Sequence, residues 1–231
     1  MNVRMGLIRK KSDWSTEKFS EYWRGHHGEL AKRAPGLRGY WQNPVTERLQ
    51  RGIDFPRGPW DFDGFSQLWF DDVGKADHAF NDSELAADLV ADEDYFLGGL
   101  HIVTAEQHLV IDLPESQARA RLLKRMSILK RRPDLSEEEF RREWKVHGDL
   151  VRKMPGVSAY RQNVVIAREL VKGQSCGYDD FPIDGIVELW FEDAATLEAA
   201  FGSDAGKVTM AHAKTFLAEI TAFVVAERQV L

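Results

Sequence analysis

The sequence predicts an α+β fold in which two tandem ferredoxin-like βαββαβ units stack their sheets into a barrel-like core. Two observations carry the prediction: the halves of the chain repeat each other, and each half alternates strand and helix patterns in this order. A single unit would leave one apolar sheet face uncovered. The second copy in the same chain can supply that cover.

The repeat can be followed residue by residue. A shift of 121 residues places Phe19 on Phe140 and Trp23 on Trp144, whereas from the end of this helix into the next strand the shift is 120. The two helices therefore differ by one residue. The expected organisation is unit one at residues 1–111, a polar linker at 112–120 and unit two at 121–231.

The first half of each unit is predicted from alternation and helix capping. VRMGLIR and its counterpart LLKRMSILK alternate as strands do, and Ser15 or Ser136 then caps a helix with acidic residues in its first turn. A Pro-Gly pair stops each helix. GLRGYWQN or GVSAYRQN follows and predicts a second strand.

The second half of each unit begins with a long loop rich in Gly, Pro and Asp. A third strand (GFSQLWF or GIVELWF), a helix ending near Leu97 or Leu217, and a last strand (LHIVTAEQH or ITAFVVAER) complete the unit. The loops Pro44–Asp63 and Val164–Asp184 are expected to be structureless lids, because loops of this length are often functional. Their aromatic side chains, such as Trp60, would close a pocket and set selectivity.

Composition is that of a soluble globular protein. Of 231 residues, 43% are hydrophobic and 29% are charged, and a net charge of −6 without a block of one sign argues against nucleic acid as a partner. No apolar run approaches the ~18 residues of a membrane span. The single cysteine, Cys176, and the charged N-terminus fit a cytoplasmic location.

Motifs for metals and common cofactors are absent from the sequence. The histidines, His78 and His108 among them, form no HExxH or His-x-His pattern, and there is no GxGxxG, P-loop or GxSxG elbow. We therefore expect no cofactor and no metal, and chemistry carried by the side chains of the chain itself.

The spaced residues F-x-x-x-W-x-x-x-H-G, P-G-L-x-x-Y-x-x-N and L-W-F resemble the EthD domain family, of the dimeric α+β barrel superfamily, over almost all of each unit. Unit one matches through Trp23 and His27, whereas in unit two His147 lies only three positions after Trp144. The resemblance implies an intramolecular dimeric α+β barrel and allows a further homodimer. Because relatives include isomerases, decarboxylases, cofactor-free monooxygenases and haem-handling proteins, it leaves the reaction open.

A histidine and a tyrosine recur at one spacing in both units. Tyr40 follows His27 by thirteen residues and Tyr160 follows His147 by thirteen, so helix and strand can bring each pair together. A neutral imidazole can exchange a proton near pH 7, and a phenol can donate to an oxyanion. The likeness to superfamily isomerases supports His27 with Tyr40. The alternative is that His27 only completes the buried stripe of its helix.

Strand alternation predicts further pocket residues. Gln42 and Gln162 share the strand face of the two tyrosines and are predicted to bind substrate. In the first strands, Arg4 or Arg125 could hold a carboxylate or phenolate, pair with Glu188, or lie at a strand end in water.

The third strands place Gln67 and Trp69, matched by Glu188 and Trp190, on the face between the sheets. A carboxylate enclosed by apolar side chains has a raised pKa, so Glu188 could act as a general acid or base. At a barrel mouth it would instead stay hydrated.

These observations favour a cofactor-free acid–base enzyme: an isomerase, decarboxylase or lyase acting on a small apolar or aromatic catabolic or secondary metabolite with a carbonyl or carboxylate group. His27 and Tyr40 are the expected proton-handling pair. Two alternatives stay open. One is a non-enzymatic protein that binds a small molecule or haem, and the other is a structural duplication with filled pockets.

Overall fold

The elements follow the predicted order in each unit. The computed structural model of the chain describes residues 2–71, 76, 79–80 and 83–231, so His78 lies outside the described residues. Unit one contains β1 Asn2–Lys10, α1 Thr16–Tyr22, a π-helical turn Trp23–His27, α2 Gly28–Ala31, β2 Leu37–Glu47, β3 Gly64–Phe70, α3 Ala86–Phe96 and β4 Leu97–Ile111. The linker holds α4 Ser116–Arg119. Unit two contains β5 Leu123–Arg131, α5 Glu137–Val151, β6 Ala159–Val171, β7 Gln174–Ser175, β8 Gly185–Phe191, α6 Ala194–Gly202, α7 Asp204–Phe216, β9 Leu217–Val225 and β10 Arg228–Gln229.

The two sheets close into one antiparallel barrel. The strand order is β2-β3-β1-β4-β6-β8-β5-β9, and β9 pairs back onto β2 through Val225 and Val45. The units therefore meet at two seams, β4 with β6 and β2 with β9. Within the described chain these barrel strands leave no free edge, so a second chain could not pair with them edge to edge.

The barrel interior is apolar and is plugged by the two long loops. Phe62 and Phe181, one from each loop, are fully buried in the same cluster as Met5 and Phe65. Trp60 meets Phe181 edge-on with ring centroids 5.1 Å apart.

The prediction of structureless lids is therefore wrong. β2 extends into the first loop as far as Glu47, and β6 extends to Val171 and is followed by the short strand β7. The aromatic side chains of both loops enter the barrel because burying them there removes a large apolar area from water.

The helices cover the outside of the barrel, and in each unit one buried tryptophan packs the first helix against the sheet. Trp23 and Trp144 are buried and lie against Gly64 and Gly185, where any side chain would overlap the indole rings. No helix among the described residues is long and apolar enough to cross a membrane.

The one-residue difference between the helices is accommodated by the π-helical turn. Unit one inserts its extra residue between Trp23 and His27, where the helix widens to the π geometry, whereas α5 is a continuous α-helix. Beyond the insertion the register is restored, because Gly28 and Gly148 both lie against the side-chain amide of the equivalent glutamine. His27 and His147 thus reach equivalent places despite unequal spacing.

Candidate functional site

The cavity beside His27 lies between the sheet and the helices of unit one. It measures about 50 Å³, room for several water molecules but well below the ~300 Å³ of a typical ligand pocket. Its wall is mainly apolar, and its polar side chains are those of Arg4, His27, Tyr40, Ser66, Glu93 and Lys172. Lys172 belongs to unit two, so this cavity is completed across the β4–β6 seam.

His27 is held by a buried carboxylate. Its Nδ1 lies 2.7 Å from Oδ2 of Asp92, and the Tyr22 hydroxyl donates to Oδ1 of the same carboxylate at 2.6 Å. Burial pushes the pKa of Asp92 up, but the hydrogen bonds from His27 and Tyr22 outweigh it and leave that pKa below its usual value. An ionised Asp92 fixes the proton on Nδ1, so Nε2, which has no partner among the described residues, is free to act as a base.

Tyr40 is arranged as a hydrogen-bond donor to the same cavity. Its hydroxyl oxygen accepts from Nε1 of Trp23 at 3.2 Å and from Nε2 of Gln42 at 3.0 Å. Burial raises the pKa of Tyr40 despite these two hydrogen bonds, so the phenol stays protonated. Both acceptor positions are occupied, and the hydroxyl proton finds no acceptor in the described part of the chain. Gln42 lies behind Tyr40 and orients it rather than lining the cavity.

Arg4 lines the cavity but does not pair with Glu188. Its two terminal nitrogens bind both oxygens of Glu169, at 2.6 and 3.0 Å, in a bidentate ion pair. Glu169 lies on β6, so the charge of Arg4 is balanced by the other unit.

A wide groove leads up to the cavity. It measures about 510 Å³ and shares with the cavity the side chains of Phe80, Glu93, Leu97, Leu100 and Lys172. The Lys172 ammonium lies 2.7 Å from the Glu93 carboxylate, so an ion pair stands at the boundary between groove and cavity.

Unit two has a similar cavity of about 40 Å³, lined by His147, Tyr160 and Arg125. Here Nδ1 of His147 faces another imidazole, with Nδ1 of His212 at 3.4 Å. Burial, aided by His212, lowers the pKa of His147 to about 3. Tyr160 accepts from Trp144 and from Gln162, as Tyr40 does in unit one, and Gln162 again lies behind the tyrosine. The two cavities therefore share a shape but differ in their proton chemistry.

The remaining predicted residues lie on the opposite face of the sheet, inside the barrel. Gln67, Trp69, Glu188 and Trp190 are all buried there, so the expectation of one pocket shared with His27 is wrong. Trp69 donates to Gln107 at 2.7 Å, and Trp60 lies with the barrel plug.

Glu188 is neither hydrated nor in a purely apolar enclosure. It is fully buried, 2.6 Å from the Lys124 ammonium and 2.8 Å from the Arg161 guanidinium. Burial alone would raise its pKa, but Arg161 and Lys124 lower it far below the usual value. The predicted raised pKa is therefore wrong, and Glu188 remains a carboxylate with no proton to give.

Sequence reasoning did not single out Asp92, Lys172 or Glu169 as residues of the candidate site. Asp92 could have been found from the repeat, because Asp92 and His212 each follow their helix histidine by 65 residues. Lys172 and Glu169 carry no such signal, since both belong to unit two: Lys172 lines the cavity across the seam and Glu169 binds Arg4 there.

Comparisons with known proteins agree with this architecture. The family model described as the EthD domain matches residues 11–99 and 132–219. No curated protein matches the chain. An anthrone oxidase-like protein is similar in structure, with a TM-score of 0.64, 9% identity, and 99% of this chain and 93% of that chain covered.

Two further solved structures have the same fold. A candidate monooxygenase from Fusobacterium nucleatum has a TM-score of 0.60 at 10% identity, covering 99% of this chain and 93% of its own. A dye-decolorizing peroxidase from Bacteroides thetaiotaomicron has a TM-score of 0.53 at 8% identity, covering 97% of this chain and 92% of its own. At these identities the likeness establishes the fold alone, a dimeric α+β barrel of two ferredoxin-like units.

Proposed function

The chain belongs to the EthD domain family, and on that premise we propose that unit one is an acid–base catalytic site. It removes a proton from a C–H bond that is made acidic by conjugation with the carbonyl of a small apolar or aromatic molecule. The observation that carries the proposal is the 2.7 Å contact between His27 and the buried Asp92 carboxylate at the wall of an apolar cavity.

Each polar group of the cavity has a role in this step. The carbon-bound proton passes to Nε2 of His27, and Asp92 stabilises the resulting imidazolium. The negative charge moves to the carbonyl oxygen, where the Tyr40 hydroxyl donates a hydrogen bond to it. Return of the proton to another carbon gives an isomerase, and loss of a leaving group gives a lyase. Both outcomes share the first proton transfer.

The size of the site favours an elongated or flat substrate. A cavity of about 50 Å³ accepts only the reacting end, while the groove of about 510 Å³ can hold the rest of the molecule. The anthrone oxidase-like neighbour supports a cyclic aryl ketone such as anthrone, whose acidic C–H bonds lie across the central ring from the carbonyl and are conjugated to it through the aromatic rings. A carboxylate or phenolate on such a substrate could compete with Glu93 for Lys172.

Unit two is not an equivalent catalyst in this proposal. An imidazole with a pKa of about 3 is a weak base at neutral pH, and His147 has no carboxylate to stabilise its protonated form.

Haem, the ligand considered as an alternative, does not fit the described cavity. The walls beside His27 enclose about 50 Å³, and a planar macrocycle would require packed side chains such as Phe96 and Leu89 to be displaced.

Proton abstraction can be tested without knowledge of the final product. Anthrone and smaller aryl ketones are incubated with the protein in D₂O, and loss of the acidic C–H signal is followed by proton NMR. We expect faster exchange than in buffer, a loss of about 100-fold in His27→Gln, and retention of the rate in the matched His147→Gln variant. Circular dichroism checks that both variants fold.

Two results would overturn the assignment. One is a wild-type rate equal to that of buffer for every ketone in the panel. The other is an unchanged rate in folded His27→Gln.

A further inference from the structure

We propose that the cavity of unit two is a binding site for a small carboxylate anion, held by Arg125 and Tyr160. The proposal concerns the unit that the proposed chemistry leaves unused, and it stands whether or not unit one is a catalyst.

Arg125 is a buried cation without a counterion. Its side chain is 3% exposed, and it donates only to the Ser127 hydroxyl at 3.2 Å and to the Arg51 carbonyl at 2.8 Å. No carboxylate lies within ion-pair distance of it among the described residues. Its Nη2 makes no hydrogen bond to them. Burial lowers the pKa of Arg125 to about 10, which still leaves the guanidinium charged at neutral pH.

The equivalent arginine of unit one has the counterion that Arg125 lacks. Arg4 is neutralised by both oxygens of Glu169, which reaches it from the opposite unit. At the corresponding seam of unit two, the segment that approaches Arg125 offers only a backbone carbonyl, that of Arg51. Because a buried charge left unpaired is strongly unfavourable, an anion from solution is the natural partner for Arg125.

Nearby carboxylates are already committed to other cations. Glu47 and Glu198 both bind the guanidinium of Arg51, at 2.5 and 2.6 Å. Either one would have to give up its ion pair with Arg51 to turn to Arg125.

The cavity provides a second donor and, among its described lining residues, no carboxylate that would compete for Arg125. Tyr160 accepts from Trp144 at 3.1 Å and from Gln162 at 2.9 Å, so its own hydroxyl proton is left for a ligand. Thr209 is satisfied internally, because its hydroxyl donates to the Ala205 carbonyl. His147 is a neutral neighbour that does not repel an anion at neutral pH.

The volume selects the class of anion. About 40 Å³ gives room for roughly three water-sized groups, which matches the three heavy atoms of one carboxylate. A planar carboxylate also suits the forked donors of an arginine better than a spherical halide does. The walls are apolar (Leu129, Val187, Leu189, Phe201, Ile220), so a short hydrocarbon substituent is tolerated and a second charge is not.

Sodium acetate is the probe, and sodium chloride at equal ionic strength is the reference. The Arg125 Nε–H signal is followed by NMR while acetate is raised to about 100 mM, and thermal unfolding is recorded in parallel because a ligand of the native state raises Tm. We expect a saturable shift with acetate and none with chloride, and weaker binding for benzoate because of its size.

Arg125→Gln is the decisive variant. It removes an unpaired cation and should fold, and we expect acetate to bind it at least about ten-fold more weakly because the charge-assisted hydrogen bonds are lost. Arg132→Gln, an exposed arginine paired with Asp134, is the matched control and should bind as the wild type does. Tyr160→Phe provides an independent arm, with binding about five-fold weaker for the loss of one neutral hydrogen bond.

The proposal is overturned by the absence of a saturable effect in the wild type, or by equal binding in Arg125→Gln. If Arg125→Gln does not fold, Tyr160→Phe decides, since unchanged acetate binding there excludes the cavity. None of these measurements uses the ketone exchange reaction, so failure of either proposal leaves the other intact.

Discussion

The Asp92 carboxylate and the His212 imidazole occupy equivalent positions in the two units, because each faces the helix histidine that precedes it by 65 residues. One substitution at this position separates a histidine that is hydrogen-bonded to a carboxylate from a pair of facing imidazoles. The same fold therefore gives its two histidines unlike partners, a carboxylate for His27 and an imidazole for His147.

Replacing Asp92 by Asn should slow proton abstraction by about 10- to 100-fold, because His27 loses the group that orients it and stabilises its charge. The matched control is Asp88→Asn, an exposed aspartate of the same helix, which should keep the wild-type rate. The exchange assay measures both, and equal rates in the two variants would show that Asp92 does not position His27.

Asp92→Asn should also change how the free energy of unfolding depends on pH in the acidic range. The pKa of Asp92 is lower in the folded protein than in the unfolded chain, so its contribution is present above about pH 4 and is lost as pH falls through the folded value. Urea denaturation should show Asp92→Asn to be less stable than the wild type at pH 7, with the difference shrinking below pH 4. A difference independent of pH would contradict the assignment.

Because His147 is buried, we expect the folded protein to lose stability at mildly acidic pH. Its pKa is about 3 when folded, against ~6.5 unfolded, so protonation favours the unfolded chain as pH falls below 6.5 and costs about 2 kcal/mol at pH 5. The facing groups are His212, and Glu143 beyond it at 3.4 Å. His147→Leu should flatten the decline between pH 7 and pH 5 in chemical denaturation. His108→Leu, at an exposed strand position, is the control, and an unchanged decline in His147→Leu would count against the prediction.

Glu188, Lys124 and Arg161 form an ion network inside the barrel. We expect substitutions within it to have strongly coupled effects on the free energy of unfolding. Glu188→Gln should destabilise the fold by about 3–5 kcal/mol, because it leaves Lys124 and Arg161 buried with less compensation. Unit one has Val3 and Gln67 at the positions of Lys124 and Glu188, so Lys124→Val combined with Glu188→Gln should recover part of the loss. Urea denaturation of a double-mutant cycle measures the coupling. A double variant no more stable than Glu188→Gln would contradict it.

The π-helical turn offers a stabilising substitution. Gly25 is exposed, and a Cβ built there meets no atom within 4 Å. Gly25→Ala should raise the free energy of unfolding by about 0.5–1 kcal/mol by restricting the unfolded chain. Gly185→Ala is the contrast, since its Cβ would overlap Trp144 and cost about 1–3 kcal/mol. Thermal unfolding of both variants tests the pair, and a lower Tm for Gly25→Ala would be the wrong sign.

The fold was predictable because its signals are local and are written twice. Capping serines, Pro-Gly stops and strand alternation each fix an element, and the repeat fixes how the elements combine. The offset between Trp23 and His27 was visible in the sequence, but its form as a π-helical turn was not. Widening one turn and shifting the whole helix are both consistent with one extra residue until packing chooses between them.

The candidate site was predictable only in part, for reasons of side-chain direction. Alternation placed Gln67 and Trp69 on the face between the sheets, but it did not say that Tyr40 and Gln42 lie on the other face, toward the helices. Asp92 lies in an acid-rich helix, and only its alignment with His212 in the repeat distinguishes it from the other carboxylates of that helix before packing shows which of them is buried.

The two seams of the barrel join parts of one chain. This affects how the barrel assembles at low protein concentration and how its two halves can change in evolution. A barrel assembled from separate chains would come apart as concentration falls. Here the linker at residues 112–120 joins the two units covalently, so assembly of the barrel should not depend on protein concentration. In a symmetric pair every substitution is made twice. In this chain each half can change alone, which allows the two cavities of one barrel to carry different polar residues.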